Sequence, residues 1–170
     1  MKKFENKLIE YIPNLRRYAV ALTSNNSTCH SDDLVQDTLE RALIKNSLWA
    51  RNSNLRAWLF TIMHNLFINQ VKKSNLYILE DIEEHEKTQF SVDDPSQDYF
   101  VTQLKQHLEN LPMRQKEVLL LVSLEGFSYE EVAKILNIPV GTVMSRLHRS
   151  REKLRQTLFK ETITPLRQVN

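Results

Sequence analysis

Apolar residues return along this chain at helical rather than strand spacing. Phe4, Leu8, Tyr11, Ile12, Leu15, Ala19 and Leu22 form one stripe, three and four positions apart, and predict a first helix. A polar, breaker-rich stretch from Ser24 to Ser31 interrupts the pattern. A second helix is expected to be capped by Ser31, with Asp32 and Asp33 in its first turn, where acids suit the positive end of the helix dipole. Val35, Leu39, Ala42 and Leu43 are its expected buried side. After a loop from Leu48 to Asn54, either Ser53 or Asn54 caps a long helix running to about Lys73. Leu55, Trp58, Leu59, Ile62 and Leu66 make its core side, with Arg56, His64, Asn65, Asn69, Lys72 and Lys73 outside. Periodicity fades between Asn75 and Ser96. It returns with Val101, Leu104, Leu108 and Leu111, and Pro112 opens the next helix. Ser128, followed three positions on by Glu131, has the spacing of a capping box. Asn137-Ile138-Pro139 ends that helix, because a residue before proline is pushed out of helical geometry. A last helix starts near Val140, buries Val143, Leu147 and Leu154, and gives way to a frayed tail around Thr164-Pro165.

Composition sharpens this into an all-α protein. With 170 residues and two glycines, the chain can hold one ordinary domain or two small helical ones. The formal charge of +2 hides an asymmetry. Between Glu80 and Asp98 eight acids face a single base, Lys87, so that segment carries −7 and the remainder +9. Two basic parts flank an acidic joint. The one cysteine, Cys29, excludes an intramolecular disulfide, and Cys29-His30 lacks the further ligands of a metal site. Lys2 and Lys3 precede no long apolar stretch, and no apolar run is long enough to span a membrane, so a cytoplasmic protein is expected. No Gly-rich phosphate loop, triad or partnered carboxylate pair is present, so neither catalysis nor a cofactor is expected.

Three surfaces carry chemistry. On the last helix Thr142, Ser145, Arg146 and Arg149 recur at i, i+3, i+4 and i+7, opposite the buried side. Short hydroxyls and guanidiniums at the start of the second helix of a helix-turn-helix suit a major groove; a solvated basic hairpin is the plainer alternative. On the second helix Asp33, Gln36, Asp37 and Glu40 share one face, either a solvated stripe or a row of carboxylates for a basic protein partner. The loop Leu48-Trp49-Ala50-Arg51-Asn52-Ser53-Asn54 gathers an aromatic, a guanidinium and amides. Unpaired bases need that mixture for stacking, edge hydrogen bonds and phosphate neutralisation. Trp49 is equally readable as a core plug, and Trp58 is read as one.

Five segments in this order resemble the extracytoplasmic-function (ECF) sigma factors, the smallest class of the sigma-70 family. They are Asp33-Leu34-Val35-Gln36-Asp37-Thr38, Leu55-Arg56-Ala57-Trp58-Leu59, Leu111-Pro112-Met113-Arg114-Gln115, Ser128-Tyr129-Glu130-Glu131-Val132-Ala133 and Pro139-Val140-Gly141-Thr142-Val143. The resemblance implies two small helical domains joined by a flexible acidic linker. Residues 1–75 would be sigma region 2, a three- to four-helix bundle, and 76–97 the linker. Residues 98–162 would be the region 4 helix-turn-helix, and 163–170 a tail. It implies binding of Asp33, Leu34, Gln36, Asp37 and Glu40 to the β′ clamp of core RNA polymerase, and docking of region 4 on the β flap. It implies recognition and melting of the promoter −10 element by Trp49, Arg51, Asn52, Asn54, Arg56, Asn65, Lys72 and Lys73. Reading of the −35 element would fall to Thr142, Ser145, Arg146, His148, Arg149 and Arg151. An anti-sigma factor is the further implied partner, and a stress-responsive regulon the implied target; the chain itself would perform no covalent chemistry.

Met144 stands where members of that family often carry arginine, and the Asn25–His30 loop is a residue or two long for it. The acidic joint could enter a basic polymerase channel as a polyanion, or simply be a solvated linker. A conventional helix-turn-helix regulator with an N-terminal sensor domain is the alternative reading, since such proteins share the texture of residues 114–136.

Overall fold

The computed structural model describes residues 2–24, 30–49, 54–80 and 99–163, and every regular element among them is helical. α1 (Lys2–Thr23), α2 (Ser31–Ile44) and α3 (Leu55–Glu80) form a first module, with a short 3₁₀ turn (Asn46–Leu48) after α2. α4 (Tyr99–Glu109), α5 (Met113–Leu119), α6 (Tyr129–Leu136) and α7 (Val140–Ile163) form a second. The linker expected over residues 76–97 starts later than that, since 76–80 are the end of α3; its remainder, the Asn25–Cys29 part of the first loop, and the tail from Thr164 lie outside the described residues.

The first module follows its stripes. Leu8, Leu15, Ala19 and Leu22 of α1 are buried, with Phe4 and Tyr11 packed at the margin. They meet Leu34, Val35 and Ala42 of α2 and Leu55, Leu59, Phe60, Ile62, Met63 and Phe67 of α3. Each fully buried side chain of this size contributes roughly 1.5–3 kcal/mol over its exposed state. Pro13 sits inside α1 on the exposed side.

Several expectations change here. α2 begins at Ser31 itself, with His30 in the extended cap position and no side-chain cap bond, so Ser31 is not the cap. The buried face of α2 is Leu34, Val35, Thr38 and Ala42, whereas Leu43 is 42% exposed. The stripe is rotated because α2 packs against both α1 and α3, and Thr38 enters the core by donating its hydroxyl to the Leu34 carbonyl at 2.7 Å. α3 runs on to Glu80, beyond Lys73, there being no glycine or proline to stop it. Its cap is Asn54, whose Oδ1 accepts the Ala57 amide at 3.1 Å.

The second module is punctuated as its sequence requires. Ser128 and Glu131 complete a reciprocal capping box on α6. Asn137 adopts the left-handed conformation (φ 51°) and ends α6, with the Ile138 amide returning to the Ala133 carbonyl at 3.0 Å. Asparagine tolerates that region better than most residues. α7 starts at once, and Val143 and Leu147 are buried against α5 and α6. α5 passes without a break into a π-helical turn, Leu120–Leu124. Gly126 follows at φ +69°, where a side chain would be strained. The wide turn and the glycine redirect the chain so that Glu125 and Phe127 face the first module.

The two modules share one core. α3 packs on α6, and α1 packs on the π turn. Phe127 lies edge-on to Phe60, with ring centroids 5.0 Å apart, and Phe60 is edge-on to Tyr18 at 5.2 Å.

Candidate nucleic-acid interface

On α7 the groove-type face is open. Ser145, His148, Arg149 and Arg151 are exposed, and Thr142 and Arg146 are half-buried beside them. The buried Val143, Leu147 and Ser150 fix the helix rotation; the Ser150 hydroxyl donates to the Leu147 carbonyl at 2.8 Å. Among the described residues, no ion pair engages Arg146, Arg149 or Arg151. Their charges are therefore available to phosphates and base edges, the chemistry a recognition helix needs. Met144 stands 53% exposed on the same helix, an apolar side chain among polar ones. Farther along, Arg155 and Gln156 hydrogen-bond Glu152 and hold its carboxyl below the ordinary range, keeping that acid partnered beyond the groove-facing set.

The residues expected to handle the −10 element are divided. Asn65, Lys72 and Lys73 lie exposed along α3. Arg51 and Asn52 fall outside the described residues. Trp49 is half-buried, 5.4 Å from the Phe4 ring and beneath the Lys7 ammonium, with its indole nitrogen enclosed. In this arrangement the ring packs against Phe4 at the margin of the core. Asn54 donates to Glu131 of α6 at 2.8 Å, and Arg56 is drawn into the seam between the modules.

On α2, Asp33, Gln36 and Glu40 are exposed and Asp37 half-buried, where it accepts from Gln70 at 3.3 Å. Leu34 is a correction: it is completely buried, so it supports the face from below and cannot touch a partner. Beside that face a cleft of about 530 Å³ runs between α1 and α2, lined by Ile12, Arg16, Val35, Gln36, Leu39 and Leu43.

The seam holds groups that sequence patterns did not single out. Glu125 has a side chain with no exposure, and four N–H groups from the first module converge on it. Arg17 gives two to Oε1 at 3.0 and 3.1 Å; Asn14 and Arg56 each give one to Oε2, at 3.2 and 3.1 Å. Arg56 also reaches the Glu125 carbonyl and lies over the Phe127 ring at 4.2 Å. Glu117, equally enclosed, is 2.7 Å from Nδ1 of His64. Burial raises the Tyr18 hydroxyl well above its ordinary pKa, with Glu117 and Glu125 adding to the effect. Burial pulls Lys116 down, opposed in part by Glu109, and its ammonium donates to Ser24 at 3.0 Å. No cluster among the described residues could hold a metal ion, and none of the described helices is long and apolar enough to cross a membrane.

The arrangement is two small helical modules, the second ending in a helix-turn-helix whose arginines Arg146, Arg149 and Arg151 make no ion pair among the described residues. Comparison with known proteins places it in a family. Residues 8–64 match the family described as the Sigma2 domain of PhyR, and residues 102–154 match Sigma-70, region 4. The chain is 38% identical over 152 residues to the ECF RNA polymerase sigma factor EcfG of Rhodopseudomonas palustris, covering 89% of this chain and 83% of that one. It is 33% identical to the RNA polymerase sigma factor YlaC of Bacillus subtilis, covering 89% of each. The sigma factor RpoE of Bartonella quintana, solved in complex with the anti-sigma factor NepR, superposes with a TM-score of 0.81 at 33% identity, covering 93% of this chain and 98% of that one. The chain belongs to the ECF sigma factors. Its curated relatives are RNA polymerase sigma factors.

Proposed function

We propose that this chain is a dissociable initiation subunit that brings core RNA polymerase to a two-part promoter and nucleates melting. The observation that carries the reading is one chain bearing two surfaces: a largely exposed carboxylate–amide face on α2, and a cationic face on α7 whose arginines make no ion pair among the described residues. Asp33, Gln36, Asp37 and Glu40 dock on the β′ clamp, and the second module docks on the β flap. Thr142, Ser145, Arg146, His148, Arg149 and Arg151 read the −35 element. Asn54, Arg56, Asn65, Lys72 and Lys73, with the Arg51-Asn52 loop, handle the −10 strand. Extruding a base costs a few kcal/mol, which contacts in that region must offset. An anti-sigma factor is the expected inhibitor, as NepR is the anti-sigma factor solved in complex with the Bartonella RpoE.

Footprinting of the reconstituted holoenzyme tests the division of labour. Arg146→Ala or Arg149→Ala weakens binding by about 1–3 kcal/mol if the residue makes a bidentate base contact, with protection lost at −35 and retained at −10. Unchanged −35 protection in both variants overturns the assignment.

A further inference from the structure

Arg17, Arg56 and Asn14 come from two helices of the first module, and all three aim at the carboxylate of Glu125. We propose that they form a phosphate-binding site for promoter DNA, and that in the closed chain Glu125 occupies it as an internal phosphate mimic. The inference deepens the proposed function and rests on it for the identity of the nucleic acid.

The geometry is that of anion recognition. Both carboxylate oxygens accept two N–H groups each: the Arg17 fork closes on Oε1 alone, while Asn14 and Arg56 share Oε2, charge-assisted contacts that phosphate oxygens accept as readily as a carboxylate. Lysines at the same places would act as point charges; two guanidiniums and an amide specify an oxyanion's shape. The site adjoins the strand-handling region. Arg56 lies two residues after Asn54, and Asn54 is held in the closed chain by a second acid of the other module, Glu131. Closure therefore withdraws both residues together. Arg17 keeps 52% of its side chain exposed and Arg56 27%, so separating the modules would leave both in reach of solvent and DNA.

The energetics favour a latch over a permanent weld. A fully enclosed carboxylate gives up several kcal/mol of hydration, and only the converging donors make closure tolerable. Phosphates of a DNA strand supply equivalent acceptors without that burial once the modules part. The π turn and Gly126 are the local device that presents Glu125: they swing its side chain away from α5 and toward α1 and α3.

The test uses the full chain without polymerase. A short fluorescein-labelled single-stranded oligonucleotide is titrated at low salt and read by anisotropy, with small-angle scattering reporting the radius of gyration. Glu125→Gln keeps the size of the side chain and removes its charge. It is expected to expand the chain and tighten oligonucleotide binding about tenfold, the gain for a competent population raised from about a tenth to nearly all. Adding Arg17→Ala and Arg56→Ala should abolish the gain while the chain stays open. Unchanged affinity in Glu125→Gln, or a gain that survives loss of both arginines, overturns the proposal. Should Glu125→Gln fail to fold by circular dichroism, Arg17→Ala alone, an exposed change, decides: expansion without tighter binding supports the latch, and an unchanged radius refutes it. Polymerase co-elution of Glu125→Gln separates the two readings. Intact co-elution without the DNA gain sinks only the phosphate site, whereas loss of co-elution in the wild type sinks the sigma reading.

Discussion

Phe127→Ala probes whether the two modules close on a common core in solution. Phe127 is 3% exposed, edge-on to the fully buried Phe60 at 5.0 Å, with the Arg56 guanidinium over its ring at 4.2 Å. Truncating a buried phenylalanine costs about 3–5 kcal/mol through lost transfer energy and the cavity left behind. The edge-to-face pair accounts for ~0.5–1.5 kcal/mol of that, and the guanidinium for ~0.5–1 kcal/mol or more. Against a total stability of about 5–15 kcal/mol the loss is large. It can be read from urea unfolding followed by circular dichroism, where m is about 1–3 kcal/mol per molar, so the midpoint falls by at least ~1 M. Most of this could arise within the second module, so the decisive number is the coupling. A double-mutant cycle with Phe60→Leu should return an interaction of about 0.5–1.5 kcal/mol, because the two rings belong to different modules and touch. A coupling indistinguishable from zero, with the two single changes adding, would refute the shared core.

Other expectations follow from single contacts. Ser128→Ala removes one arm of the capping box on α6 and should cost about 1 kcal/mol by thermal or urea unfolding, while Ser128→Asp recovers most of it. On α2, Leu34→Ala should lose about 2–5 kcal/mol of stability, whereas Gln36→Ala should leave stability unchanged and weaken polymerase binding; equal effects on folding would contradict the assigned burial. Met144→Arg adds a cation to the exposed face of α7 and should steepen the salt dependence of promoter binding by about 0.9 in the log–log slope, one further phosphate contact. Tyr18 gives a pH signature. Its folded pKa is raised by burial and then by Glu117 and Glu125, while the unfolded hydroxyl ionises near 10.0. Above that pH the unfolded state binds fewer protons than the folded one, so stability declines as pH rises. Tyr18→Phe should abolish this part of the decline, and an identical alkaline profile in both proteins would contradict it.

What could be read from the sequence was what local chemistry decides. The capping box at Ser128, the helix stop before Pro139, the Asn54 cap and the α1 stripe depend on neighbours within a turn or two. The rotation of α2 was less legible. Leu34 and Leu43 are equally apolar, and only the simultaneous packing of α2 against α1 and α3 buries the first and leaves the second at the surface. Ser31 looked like a cap because serine is a good one, yet the chain enters the helix one residue earlier, at His30. Trp49 is readable from the sequence as plug or platform, and in this conformation its ring packs against Phe4. Glu117 and Glu125 were illegible for a different reason. A carboxylate enclosed by arginines from a distant helix has the same one-dimensional signature as a solvated acid. Only pairing at long separation reveals it, 53 residues between His64 and Glu117 and 108 between Arg17 and Glu125, with Gly126 beside Glu125 as a faint hint of an unusual turn.

The acidic face of α2 also explains why charge reversal should be a clean perturbation. Asp33 is exposed and Asp37 makes one surface-side hydrogen bond, so replacing both alters the potential of the face without emptying the core. Size-exclusion co-elution with bacterial core RNA polymerase, wild type beside Asp33→Arg/Asp37→Arg, is therefore the most direct test of the central claim. The account predicts that the wild type co-migrates with the polymerase while the variant elutes alone with an unchanged circular dichroism spectrum. If the wild type also elutes alone, yet shifts duplex DNA unaided, the chain acts as a stand-alone regulator and the initiation-subunit account is wrong.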